Sequence, residues 1–534
     1  MRKTAFLALV VLSGTFFYGA SDIQDRCDKL SRGQMQSVIE FLSADALEGR
    51  APGTRGGELA EIYLHGLFKL LGLDSRFQPF TLLGFKLSAL NVSARGRELV
   101  YHEDTVGSYV RPETDFSFEG DAVFAGFGIR TPLWNWDDYK QADLRGKVLL
   151  VRVNDPGLFI PQIFDGSALT YFGRWTYKIE EAARAGAAAI LLIHTAPTAG
   201  YDWQVVKNSW SGEELYLPAS LENDLKFRGW IREQSLKLLL AEKKIDLESL
   251  YRKSLSRKFR PIDLGFKIRI SGRNTFRRLE TRNVVGAIPG RSGKNIVLSA
   301  HIDHLGRNGQ LDGDQIFNGA IDNGSAVAAL ALVAKIFADN GKELYYGLTF
   351  LACQAEEAGL LGSKYFVANS EREKIAANIN FESTPVWEKS LDAFAEGARF
   401  STLEEAVRQV AAAEGLDYNR FSLADQGFFY RSDQFPFAQA GIPAIWLSAG
   451  EKSASGHNRI AEFFKGGAYH TVKDEYDPAW ELASLRQTVK LAAGLIEYLD
   501  RTREIPRWKT GLTFPVPSPA RPNGARIQKT SNSR

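Results

Sequence analysis

The stretch from Asn295 to Glu357 constrains the fold more than any other part of the chain. Two apolar β-type runs, NIVLSAH and GLTFLAC, each end at a potential metal ligand or acid: His301 after the first, Glu356–Glu357 after the second. Between them Asp322 opens a helix-like run, AVAALALVAKIFADN. In open α/β sheets, ligands bind beyond the carboxyl ends of the strands. The pattern therefore predicts an α/β fold with a metal site along that edge.

At 534 residues the chain is long enough for more than one domain and a large core. Its 66 basic and 63 acidic residues leave a net charge of +3, too balanced for a nucleic-acid partner. With only Cys27 and Cys353, a disulfide framework is excluded as the main source of stability. Cys353, inside the run LTFLACQA, reads as a buried small hydrophobe.

Residues 1–20 read as a secretory signal: Arg2 and Lys3, an apolar run from Ala5 to Tyr18, then Gly19 and Ala20. The run is shorter than the ~20 residues of a membrane span. The expectation is export to the periplasm or the extracellular space, with no stable membrane span after signal removal.

Residues 21–114 open the catalytic domain with two helices around a glycine-rich turn, in LSRGQMQSVIEFLSADALEGRAPGTRGGELAEIYLHGLFKLL, and two or three strands after them. Gly49, Gly53, Gly56 and Gly57 have no Gly-Lys-Ser/Thr after them and no strand before them, so they read as a surface loop, not a phosphate cradle. Residues 115–265 alternate β-type runs with one alanine-rich helix and carry no clustered ligands, like a smaller α/β domain inserted into the larger one. Residues 266–505 return to the main sheet. The tail 506–534, rich in Pro, Ser, Asn and basic residues, is expected to be disordered.

Five candidate ligands stand at element ends: His301, Asp322, Glu357, Glu382 and His470. Two imidazoles with three carboxylates suit zinc or a neighbouring first-row metal better than calcium. With five protein groups, one carboxylate can bridge two ions, a pair able to polarise a carbonyl and supply hydroxide near neutral pH. Asp303 is placed to accept the free imidazole N–H of His301. One of Glu356 and Glu357 can bind metal while the other acts as general base, and Tyr469 can donate to a developing oxyanion. Singly, each of these residues has a plainer reading as solvated face, core histidine or helix cap; the argument is their coincidence.

SAHIDHLG, AIDNGSAVA, CQAEEAGLLGS, SDQFPFAQAGIPAIWL and YHTVKDEYD resemble, in order, the successive motifs of the co-catalytic dizinc aminopeptidases related to bacterial leucyl aminopeptidases. LEGRAPGTRGGELA and NVVGAIPG match as well, and Gly120–Ala196 is similar to the protease-associated domain inserted in many members. The resemblance implies a mixed, largely parallel, zinc-exopeptidase-like sheet flanked by helices. It implies two zinc ions bridged by Asp322, one completed by His301 and Glu382, the other by Glu357 and His470. Glu356 would be the general base, Asp303 a supporting residue and Tyr469 the oxyanion donor. Glu382 stands where the family commonly has Asp. His457, the alternative histidine, has flanks that match no motif. The implied function is an exported aminopeptidase acting on peptides with a free N-terminus by metal-hydroxide attack. Carboxypeptidase, glutaminyl cyclase-type and non-catalytic binding readings share the scaffold.

Overall fold

The computed structural model describes residues 22–210, 212–221 and 225–509. The expected signal over 1–20 and the tail from 510 onward lie outside them. In chain order, β1 (Asp74–Ala94) precedes β2 (Thr105–Tyr109), β3 (Asp115–Phe124), β4 (Val148–Arg152), β5 (Ala189–His194) and β6 (Phe227–Arg232). The long β7 (Ile262–Ile288) follows, then β8 (Asn295–His301), β9 (Gly347–Cys353), β10 (Ile375–Asn380), β11 (Asp392–Glu396) and β12 (Ala444–Ala449). Across the sheet the order is β11-β12-β10-β8-β9-β7-β3-β4-β5-β6-β2, with β1 alongside β7.

β12, β10, β8 and β9 run parallel, as do β3, β4, β5 and β6. β7 is antiparallel to β9 at one end and to β3 at the other, so it joins the two parallel halves. The sheet is thus mixed and largely parallel, as expected. Where two or three strands were expected in FQPFTLLGFKLSALNVSARG, β1 is one strand of 21 residues with a single bulge between Leu87 and Ala89. Its backbone groups find partners along the still longer β7 from Asp74 to Ser93, so no turn is needed.

The main sheet half is covered by α1 (Arg32–Leu42), α2 (Arg55–Leu70), α4 (Ala326–Ala338) and α5 (Ala483–Thr502), while α3 (Trp175–Arg184) belongs to the other half. α1 starts at a capping box in which Ser31 and Gln34 satisfy each other's backbone N–H. α4 is apolar nearly all round and buries eleven of its thirteen residues, which places it inside the main core rather than on its surface. The apolar stretch Ala320–Ala338, long enough by composition to cross a bilayer, is 94% buried within the protein.

Separate apolar clusters fill the two halves: one around Leu298, Leu330 and Val489, another around Phe124, Leu191 and Ile231. A third lies between them, mixing Phe164, Tyr171, Phe172 and Tyr177 with Phe429, Tyr430, Phe435 and Phe437. Cys27 and Cys353 are both free and buried. The start of the tail is ordered, contrary to expectation. The Lys509 N–H donates to the Phe400 carbonyl at 2.9 Å, and Trp508 bridges to Ser401, which ties the chain to the segment before residue 403.

Candidate metal centre

The loops beyond β8, β9 and β10 bring His301, Glu356–Glu357 and Glu382 to one edge of the sheet, and the turn Ala320–Ser325 sets Asp322 there at the entry to α4. His301 Nε2 lies 3.2 Å from Asp322 Oδ1 and 3.2 Å from Glu382 Oε1. On the other side, His470 Nε2 lies 3.2 Å from Asp322 Oδ2 and 3.2 Å from Glu357 Oε2. Each oxygen of Asp322 therefore faces a different imidazole, and each imidazole has a second carboxylate beside it. Glu356 Oε2 approaches His301 Nε2 at 3.9 Å. All five expected ligands and Glu356 are brought together.

Buried polar contacts hold these groups in place. Ser432 Oγ donates to Glu382 Oε2. The Asp474 carboxylate accepts the backbone N–H groups of Ile321 and Asp322 at 2.8 and 2.9 Å. Asp303 acts differently from expectation. Its carboxylate accepts the N–H groups of Glu356 and Glu357 at 3.1 and 3.3 Å, while His301 Nδ1 is nearer the Asp303 carbonyl at 3.2 Å than its carboxylate at 3.8 Å. The side chain is turned toward the tight turn after β9, where it satisfies two part-buried N–H donors. Tyr469 stacks on the His470 ring with centroids 3.9 Å apart. His457 is exposed and pairs with Glu462 at 3.3 Å, apart from this constellation.

Two residues of the site were not singled out from the sequence. His304 is buried, and its Nδ1 lies 2.7 Å from Glu357 Oε1, within reach of the Asp322–Glu357 pair. Its position just past Asp303 in HIDHLG was the available signal. The second is Arg50, fully buried inside the glycine-rich stretch expected to be a surface loop. Its guanidinium donates to the carbonyls of Ile302 at 2.8 Å, Leu42 at 2.9 Å and Gly319 at 2.7 Å, and to that of Asn318. The glycines around it are there for close approach. A Cβ on Gly49, whose φ is +69°, would meet the Gly306 carbonyl oxygen at 2.2 Å, and one on Gly56 would meet that of Leu47 at 1.7 Å.

The electrostatics are those of a cation site. Asp303, Asp322, Glu356, Glu357 and Glu382 converge with three imidazoles and one guanidinium. Burial pushes Glu356 well above the usual carboxylate range, with Glu382 and Glu357 adding to it, and burial lifts Asp303 to about 7. Burial would raise Asp322 too, but the hydrogen bonds from His301 and His470 outweigh it and hold Asp322 well below. For His470 burial is likewise outweighed, here by Glu357 and Asp322, and its imidazole rises to about 10. Ligand atoms ~2.0–2.1 Å from a tetrahedral zinc ion lie about 3.3 Å from one another. The 3.2 Å separations around each Asp322 oxygen match that spacing, so the residues present fit a pair of such ions.

Residues 283–496 match peptidase family M28. That segment belongs to the family, and the chain is a metallopeptidase. The aminopeptidase YwaD of Bacillus subtilis (strain 168) is 24% identical over 425 residues, spanning 77% of this chain and 74% of that protein. Leupeptin-inactivating enzyme 1 of Streptomyces exfoliatus is 29% identical over 173 residues, 32% of this chain and 36% of that one. Among solved structures, the aminopeptidase from Aneurinibacillus sp. strain AM-1 superposes with a TM-score of 0.53 at 18% identity, covering 92% of this chain and 97% of its own. That likeness is one of fold.

Proposed function

We propose that the protein is a two-zinc aminopeptidase that removes N-terminal residues from peptides. The observation that carries this is Asp322, shared between two imidazole–carboxylate pairs at 3.2 Å, with Glu356 beside them. The name of the B. subtilis relative supports the peptide-end specificity. His301 and Glu382 would hold one ion, His470 and Glu357 the other, and Asp322 both. When bound, such a pair supplies Lewis acidity, polarising the scissile carbonyl and lowering the pKa of a water.

The chain's own residues supply the rest. The Glu356 carboxylate takes a proton from the attacking water as the C–O bond forms, then hands it to the amine nitrogen as the C–N bond breaks and the carbonyl re-forms, with no net proton change at the carboxylate. Its carboxylate lies 3.9 Å from His301 Nε2, beside the groups that would hold the ions, which places it to make both transfers. The Asp303 carboxylate fixes the turn that aims Glu356, and the Tyr469 hydroxyl donates to the oxyanion that develops on the carbonyl. Export belongs to the same proposal and rests on residues 1–20; the N-terminus of the mature protein recovered outside the cytoplasm checks it.

In Glu356→Gln, zinc content stays at two per chain while turnover of a free-amine peptide falls at least ~10²-fold. Metal analysis beside steady-state rates measures both, and undiminished turnover would reject the role of Glu356. Parallel assays of N-acetylated peptides and of N-terminal glutamine cyclisation separate this reading from the carboxypeptidase and cyclase readings.

A further inference from the structure

Where the two halves of the molecule meet, two arginines have no anionic partner among the described residues. Arg174 ends the Tyr171–Gly173 turn and caps α3, and that turn packs on the catalytic half. Tyr171 lies 6.2 Å from Tyr430 and 5.0 Å from Phe435, and the Leu169 N–H donates to the Asp425 carbonyl at 2.9 Å. Arg431 follows Tyr430 directly, its guanidinium over the Phe428 ring at 4.7 Å. From there a row of rings leads to the metal centre. Phe428 is 4.9 Å from Phe464, Phe464 is 5.0 Å from Tyr469, and Tyr469 stacks on His470.

Both arginines are half-buried. Among the described residues no carboxylate forms an ion pair with either, and Arg174 Nε is buried with no hydrogen-bond partner. Burial and the charge of Arg431 push the Arg174 guanidinium down to about 10, so the two cations act on each other. Tyr201 and Tyr469 share the neighbourhood of both arginines. Two neighbouring, partly desolvated guanidinium groups are costly unless an anion sits between them. A planar fork of N–H donors is shaped for a carboxylate.

We propose that Arg174 and Arg431 form a subsite for a carboxylate of the substrate, beside the metal centre. The proposal rests on the peptidase reading above. The carboxylate has two sources: the side chain of an acidic N-terminal residue, or the C-terminus of a dipeptide.

Two substrate pairs distinguish them. Glutamyl-alanine amide against glutaminyl-alanine amide reports the side chain, and leucyl-alanine against leucyl-alanine amide reports the C-terminus. In the zinc-loaded full chain, kcat/KM is expected to favour the carboxylate member of one pair at least ~10-fold. That ratio collapses in Arg431→Gln and in Arg174→Gln and is partly restored in Arg431→Lys. Ratios within about twofold in both pairs, or a preference that survives both glutamine variants, overturn the proposal. If none of the four peptides is hydrolysed, the peptidase reading has failed. The same ratios are then read as dissociation constants by calorimetry, in the wild type and both variants, and the subsite stands or falls on them.

Discussion

Arg50 carries more of the site than any residue that touches it only at the surface. One guanidinium satisfies carbonyls on the α1 exit, on the loop after His301 and on the turn that holds Asp322. Removing it leaves those buried oxygens without donors, at ~1–3 kcal/mol for each one that water cannot reach. In Arg50→Met the unfolding free energy in urea is therefore expected to fall by at least ~3 kcal/mol, and zinc affinity to weaken as Asp322 loosens. In Arg50→Lys, which keeps the charge but reaches fewer carbonyls, the loss is smaller. Equal stability of wild type and Arg50→Met would remove the residue from this role. Nothing local in LEGRAPGTRGG announces these bonds, because the carbonyls lie up to 272 positions away in the chain. His301, Asp322 and Glu357 were legible for the opposite reason, since each sits at the border of an apolar run, His301 and Glu357 where one stops and Asp322 where one opens. The turn of Asp303 toward the Glu356–Glu357 backbone was not legible. A side chain's choice between an imidazole and two N–H groups depends on the path of the loop, which spacing does not record.

Among elements, β11 ends at Glu396, whose carboxyl is buried beside the antiparallel β12. Burial pushes it to about 7 from the usual 4.5, against the pull of Arg399 and Arg420. The folded chain thus binds this proton more tightly than the unfolded chain. The group costs nothing below pH 4.5, and its penalty grows from there and levels off above about pH 7. Relative to Glu396→Gln, wild-type stability is expected to fall by up to about 3 kcal/mol between pH 4.5 and 8. Urea unfolding of both proteins across that range measures it, and parallel pH curves would contradict the burial argument. The helices were readable from their 3.6-residue periodicity. The single long β1 was not, since a run containing Gly84 and Pro79 reads locally as broken and is carried through by its pairing with β7.

For the whole molecule, the metal centre is also a stability device. Without cations, five carboxylates face one another in a buried space with too little positive charge to balance them. Treatment with a chelator is expected to lower Tm. Zinc restored at a hundredfold excess over its Kd returns about 3 kcal/mol, so Tm rises with metal concentration in differential scanning calorimetry. A Tm indifferent to chelation would mean that the carboxylates are balanced by the chain alone.

β1 and β7 are paired along residues that belong to both halves of the molecule, from Asp74 opposite Ala287 to Ser93 opposite Arg269. The halves are therefore not beads on a string. Any opening between Arg174 and Arg431 must be borne as torsion of a hydrogen-bonded beam, a stiff spring in place of a swivel. Such a mounting favours small, fast excursions about one resting gap over wide swings, and so keeps a peptide end within the same narrow berth at every encounter.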